Sequence, residues 1–345
     1  MRLFSLIMGA VMAITSPALA EDCEAPCAAM TATFELDDGW IFAADRQRLR
    51  SNTLQPDFEI ESWLALSETL KLVNTARIEQ VIDPDPGRSS AFEDVGLYLS
   101  ELYAELELDP VTLRAGKIEP AFSSVNVTAD GLNSADITAN ADVGESLGIA
   151  AAAGFEAFGF DHTLTGTAFT RDRSVLARSL MTSREVPKLS GGGAGNASGI
   201  SSYSLAVDGC KGAGTNDCYE EGHWGYRLAA RYQRAGRKTP EGAEKDASPH
   251  DEIAVLWGAN AKVKVDDRVL RLLGEGAFIS HFEGSSDDAL ILSGVAALSD
   301  GPFVYSAALS RQWNFVSSEA DTKENLVDLA IRYSPEGEEA ASRPA

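Results

Sequence analysis

The sequence lacks the means to cross a membrane as a helix: beyond the first twenty residues, no stretch reaches 18 consecutive apolar residues. Positive charge is scarce. Twenty-nine Lys and Arg stand against 52 Asp and Glu, a formal net charge of -23. Binding to phosphates needs clustered positive charge, so nucleic acid is not expected as a partner. Histidine is scarcer still, with His162, His223, His250 and His281 the full set, none of them in a recognisable catalytic motif. Gly195-Asn196-Ala197-Ser198-Gly199 has its serine one place too late for a nucleophile elbow. The glycine runs carry no phosphate-cradling lysine, so no nucleotide and no other cofactor is expected, and the chain is not expected to be an enzyme. Cysteine is limited to Cys23, Cys27, Cys210 and Cys218, in two close pairs. Neither C-x3-C nor C-x7-C makes a good half of a zinc site, so no metal is expected. In an exported chain two local disulfides are the default.

Export is read from the first twenty residues. Arg2 gives a positive start, Leu3 to Ile14 an apolar stretch too short to span a bilayer, and Ala18-Leu19-Ala20 a small-x-small cleavage site. That combination predicts a signal peptide over 1–20 and a mature chain from Glu21. The expected divisions that follow are a short periplasmic segment over 21–30, one β-barrel over 31–333, and a polar tail over 334–345. Such acidity either steers cations or only keeps loops soluble.

What remains is alternation. Over Thr69 to Ile82, Leu70, Leu72, Ala76, Ile78 and Ile82 take one face while Lys71, Thr75, Arg77 and Glu79 take the other. Over Ile253 to Val265, Ile253, Val255, Trp257, Ala259, Ala261, Val263 and Val265 oppose Leu256, Gly258, Asn260, Lys262 and Lys264. At a 3.6 period the charges would land on every face, so these are strands. About fourteen such segments (roughly 12–16) recur, starting near 31, 57, 69, 95, 111, 145, 162, 200, 224, 251, 269, 289, 303 and 325. Connections alternate between short and long, as in a barrel with short periplasmic turns and long outer loops. The connection at 209–223, which holds Cys210 and Cys218, is long where a short one is due. The fold class expected is therefore all-β, a transmembrane antiparallel β-barrel. Aromatic residues near strand ends, among them Trp40, Tyr203, Tyr226, Trp313 and Tyr333, suit interfacial girdles.

One hairpin carries a family likeness. Leu97-Tyr98-Leu99-Ser100-Glu101-Leu102-Tyr103 turns back into Leu113-Arg114-Ala115-Gly116-Lys117-Ile118-Glu119-Pro120, and this resembles Gram-negative outer-membrane porin-like β-barrels. The resemblance implies a general or weakly selective pore in the outer membrane, passing ions and small hydrophilic solutes. Its expected partners are outer-membrane lipid and lipopolysaccharide, with a homotrimer as one assembly open to such a barrel. The sequence departs from the pattern at its end, where Tyr333 is followed by the polar tail Ser334 to Ala345 instead of a terminal aromatic residue.

Alternation points Lys71, Arg77, Glu79, Glu101, Glu105, Glu107 and Arg114 into the lumen from one wall. Arg227, Arg231, Lys262, Lys264 and Arg271 point in from the other. Cross-strand rows of opposite charge either hold the wall together or set ion preference. The third long connection, about 118–144, carries Asp130, Asp136 and Asp142, and the porin resemblance implies that it folds inward as a constriction. A non-conducting barrel serving as receptor, adhesin or structural protein is the alternative.

Overall fold

The computed structural model describes residues 4–12, 25–43, 51–82, 84–85, 87–124, 140–211, 223–236, 249–317 and 321–333. They form one sheet. In chain order its strands are β1 (Phe4–Met12), β2 (Cys27–Ala43), β3 (Ser51–Ala65), β4 (Leu70–Gln80), β5 (Ser90–Ala91) and β6 (Val95–Leu108). Then come β7 (Val111–Ile118), β8 (Ser146–Ala157), β9 (Phe160–Arg171), β10 (Leu180–Met181), β11 (Ser202–Lys211) and β12 (Trp224–Gln233). The series ends with β13 (Glu252–Val265), β14 (Arg268–Ser280), β15 (Asp288–Asp300), β16 (Phe303–Phe315) and β17 (Thr322–Tyr333). β5 and β10 are two-residue straps in loops. Setting these and β1 aside leaves fourteen long strands among the described residues.

Each long strand is antiparallel to the next, from β2 through β17. In hydrocarbon this pairing is obligatory, because no water is present to take up a free N–H or C=O. Fourteen is even, so β2 and β17 run in opposite directions and both begin or end at the short-turn rim. Between them lies β1, antiparallel to β2 and parallel to β17, with Met8 opposite both Asp38 and Leu329. This seam strand falls within the segment whose composition predicts a leader.

Strand length fits a membrane. The 13 residues of β14, β15 or β16 at ~3.4 Å rise and ~40° tilt stand about 34 Å tall, enough to carry an apolar band of ~25 Å. Outward positions make that band. On β13, Ile253, Val255 and Trp257 are exposed while Ala254 and Leu256 between them are buried, so the apolar set faces away from the lumen. Trp257 lies flat across Gly276 of β14, where an added Cβ would fall 2.5 Å from the indole ring. At the short-turn rim Phe158 is 99% exposed at the tip of its turn, and behind it Phe155 stacks on His162 while Phe160 meets Trp224 edge-on. Such a belt belongs at a boundary between apolar and wet surroundings.

Long and short connections alternate. Long ones join β2 to β3, β4 to β6, β7 to β8, β9 to β11, β12 to β13, β14 to β15 and β16 to β17, while the 66–69, 109–110, 158–159, 266–267 and 301–302 turns are short. The connection from Lys211 to Trp224 sits on the short-turn side despite its length. Inside the barrel, residues from β11 to β15 and β17 form an apolar patch of Ala206, Ala229, Ala254, Leu256, Ala277, Ile279, Ala289, Ile291 and Leu326.

The wall's polarity generates a prediction. Leu272 is an outward residue on β14, 43% exposed. Leu272→Arg is expected to lower the unfolding free energy in lipid vesicles by about 2 kcal/mol, measured by urea titration; an unchanged midpoint would mean that this face does not meet lipid.

Candidate functional site

The connection between β7 and β8 enters the barrel. Its two described ends, 119–124 and 140–145, meet the strands on the far side of the lumen. Phe122 is fully buried and, with Ala141, packs on the apolar patch described above. Around this plug the loop is pinned by polar contacts. Glu275 of β14 accepts from Ser123 Oγ at 2.8 Å and from the Ser124 backbone N–H at 2.9 Å, and the Ser124 hydroxyl also reaches it. Arg227 of β12 donates to the Ser123 carbonyl at 2.9 Å while it holds Asp208 of β11 at 2.8 Å. Asn140 donates to Gln312 of β16 at 2.9 Å.

The height of these contacts is readable from the register. Glu275 is level with Gly258 and Ser293, and Ser293 with Ser310, in the central part of their strands. The loop therefore crosses at about mid-height. Ser123 N–H donates to the Asp142 carboxylate at 2.9 Å, tying the loop's two ends together. Asp130 and Asp136, expected at the constriction, lie outside the described residues.

Arg231 needs a correction. Alternation points it inward, as expected, but it lines no open passage: it is 3% exposed, paired with Glu252 at 2.7 Å, bonded to the Ala141 carbonyl, and stacked over the Phe122 ring at 4.5 Å. It is a loop anchor because the loop lies on top of it. Arg227 shares that task. Lys262, Lys264 and Arg271 come from inward positions of β13 and β14 on the short-turn half, with Lys262 directly opposite Arg271.

On the facing wall the charged residues form cross-strand pairs. Arg77 holds Glu59 at 2.6 Å, Lys71 holds Glu107 at 2.7 Å and Arg114 holds Glu105 at 2.7 Å. Glu79 accepts from Tyr98, and Glu101 from the Glu119 N–H at 3.2 Å and Thr75 at 3.5 Å. These pairs keep one or both partners in contact with water, so each contributes only ~0–1 kcal/mol. Their larger effect is the pattern: Glu59, Glu61, Glu79, Glu101, Glu105 and Glu107 outnumber Lys71, Arg77 and Arg114. At the loop's entry Glu119 presents surface to the lumen but is hemmed in by protein. That desolvation, with the pull of Arg77 working against it and Glu101, Asp142 and Glu145 reinforcing it, pushes its carboxyl up to about 7.

A second set of contacts holds the loop from behind. Lys117, at the end of β7, is fully buried between Glu145 and Asp172, 3.1 Å from the latter, and donates to the Leu176 carbonyl at 3.0 Å. Arg184 grips Glu145 with two bonds of 2.6 and 2.5 Å and lies 3.8 Å over the Tyr98 ring. Two cations and two carboxylates thus clamp the 172–184 stretch onto the base of the constriction loop. Gly116 beside it has φ +147°, and a Cβ there would run into the Leu102 carbonyl and Tyr103 of β6. This clamp and Glu275 were not singled out from sequence. Glu275 occupies an inward position of a predicted strand, so parity alone could have found it; nothing marks Asp172 or Arg184.

The remaining candidates lie apart. His162 bonds the Tyr226 hydroxyl at 2.9 Å on the outer wall, and His250 stacks on His281 at 4.5 Å among the long loops. Cys27 and Cys210 are both disulfide-bonded, and the partners expected for them, Cys23 and Cys218, lie outside the described residues.

The strands define the class: an all-β barrel of outer-membrane type. No protein-family model matches the chain, and no curated protein does. Among solved structures it is similar to a loop L8 deletion mutant of OmpT, an outer membrane protein of Vibrio cholerae, at 10% identity and TM-score 0.47, covering 89% of this chain and 88% of that one. It is also similar to OmpT of Vibrio cholerae itself (11% identity, TM-score 0.43, 94% and 85% covered) and to a bacterial polysaccharide outer membrane secretin (10%, 0.37, 94% and 94%). Likenesses this remote carry no functional argument, and the barrel stands on its own strand pairings.

Two outcomes are expected from the anchors. Glu275→Ala leaves Ser124 N–H without its acceptor and should speed amide exchange across 119–124, read by hydrogen–deuterium exchange, with little change in peptides from β14. Lys117→Met leaves the buried Asp172 without its cation, while Glu145 keeps Arg184, and should cost about 3 kcal/mol in urea unfolding; an unchanged midpoint would show that the clamp contributes no stability.

Proposed function

We propose that the chain is a porin-like diffusion channel of a Gram-negative outer membrane, narrowed at mid-height by its own 119–145 loop. The observation that carries this reading is the loop bonded across the lumen to Glu275, Arg227 and Gln312. A fourteen-stranded barrel is intermediate between filled eight-stranded and open sixteen-stranded types, so a loop of this kind leaves a narrow opening. The opening would lie between the loop and the acid-rich wall of β3, β4, β6 and β7, favouring small hydrophilic cations. No catalytic step is part of this reading. In it the outward apolar face meets lipid, and Cys23 with Cys27, and Cys210 with Cys218, form local disulfides, the second stapling the long turn after β11.

One observation favours the non-conducting alternative: the apolar patch against which Phe122 packs occupies part of the interior. Planar-bilayer recording separates the two. Discrete conductance steps with reversal potentials on the cation side are expected; a folded, inserted protein that passes no current would establish the alternative.

The carboxyl of Glu119 adds a pH signature. Raised to about 7, it is neutral below that pH and negative above it, so cation preference should rise between about pH 6 and 8 and flatten in Glu119→Gln. The linked stability has the opposite slope: the folded state binds the proton more tightly than the unfolded chain, so stability falls as pH rises from the ordinary carboxylate range toward 7. Reversal potentials in a salt gradient at pH 6 and pH 8 give the first readout. Equal values in wild type and variant would remove Glu119 from the permeation path.

A further inference from the structure

Arg311 is out of place on the outer wall. Ser310 and Gln312 on either side of it are buried toward the lumen, so Arg311 points outward, between Leu309 and Trp313 on the same face of β16. Its neighbours across the ladders at the same level are Leu292 of β15 and Asn325 of β17. Elsewhere on β11 to β16, the outward positions away from strand ends are apolar or small, as at Leu205, Leu228, Val255, Leu272, Leu292 and Leu309. No ion pair of Arg311 occurs among the described residues, and its Nε has no hydrogen-bond partner. Its guanidinium instead lies 4.5 Å over the Trp313 ring.

A cation on a lipid-facing wall is costly unless an anion meets it. Arg311 is four residues from the loop end of β16, about 14 Å along the strand, and a long side chain in the outer half of the wall reaches toward the headgroups. Lys323 of β17, exposed and directly opposite Trp313, puts a second cation one step nearer that rim. Glu324 beside it has the parity of buried Leu326 and so faces the lumen, and among the described residues the rim carboxylates Asp288 and Asp321 accept from Ser280 and from the His281 and Val316 N–H groups, with no bond to Arg311 or Lys323.

We propose that Arg311 and Lys323, braced by Trp313, form a binding site for the phosphate of an outer-leaflet lipid headgroup. The guanidinium's planar fork suits phosphate oxygens, and the indole beneath it keeps the fork turned outward. The site rests on the outer-membrane reading but not on conduction, and it is tested without current.

The test uses the full-length protein in detergent micelles, titrated with bisphosphorylated lipid A and with dephosphorylated lipid A and read by native mass spectrometry. Wild type should bind the bisphosphorylated form at least about tenfold more tightly than the dephosphorylated one. R311Q should lose about tenfold and K323Q several-fold, while R311K, which keeps the charge but not the fork, should fall between wild type and R311Q. Heat-modifiable migration in gels reports folding of each variant, and K323Q with R311K decides the matter if R311Q does not fold. Equal affinity for the two lipids, or unchanged affinity in R311Q or K323Q, overturns the proposal. So does a variant that alters protomer cross-linking with lipid binding intact, which would give this face to a second copy of the chain. Failure of the wild type to insert into vesicles counts separately, against the membrane reading itself.

Discussion

Every feature of this molecule answers to one constraint: a backbone that passes through hydrocarbon must pair every N–H and C=O within the protein. The fourteen long strands meet it through antiparallel ladders from β2 to β17, and β1, paired with both of these, covers their outer edges. Pairing then imposes period two on the side chains, because successive residues must point to opposite faces of the wall. Apolar side chains take most of the outer face and the inner face receives most of the charge. There Arg77, Lys71 and Arg114 find carboxylates one strand away.

The same constraint shapes the interior. Strands satisfy each other's backbone, but a loop brought into the lumen has no ladder, so side chains must do that work. Glu275 takes an amide and two hydroxyls, while Arg227 and Arg231 each take a carbonyl. The inward arginines are thus divided by the loop into anchors above and lumen-side charges below. Phe122 supplies the apolar part of the contact, and the Arg231 guanidinium lying over its ring joins the polar and apolar parts.

Alternation made most of the fold legible. Strand starts read from sequence agree with the observed ones to within about three residues for all but the first two long strands. There the expected starts, 31 and 57, fall late of Cys27 and Ser51. Pro56 lies inside β3 opposite Leu36, where a proline argues against a strand interior, and Cys27-Ala28-Ala29 offers little contrast between faces. Parity also placed Arg231 on the correct side of the wall. Its burial was not legible, since it depends on a loop about ninety positions away whose docking leaves no periodic trace. The clamp of Lys117, Glu145, Asp172 and Arg184 was hidden for a related reason: Lys117 reads as one more strand cation until the stretch that begins at Asp172 is laid over it. The seam strand β1 was not legible either, because its composition is that of a leader.

The bonds from Ser123 and Ser124 to Glu275 join positions 152 and 151 residues apart. Neighbouring strands can zip together through local contacts, but these bonds have no acceptor until β14 is in the wall, and the Asn140 bond has none until β16 has joined it. Loop-closure entropy makes such distant contacts late ones. The two described ends of this loop are thus among the last parts to settle. A chain still adding strands would hold an interior without them, and they would dock only as the barrel finishes.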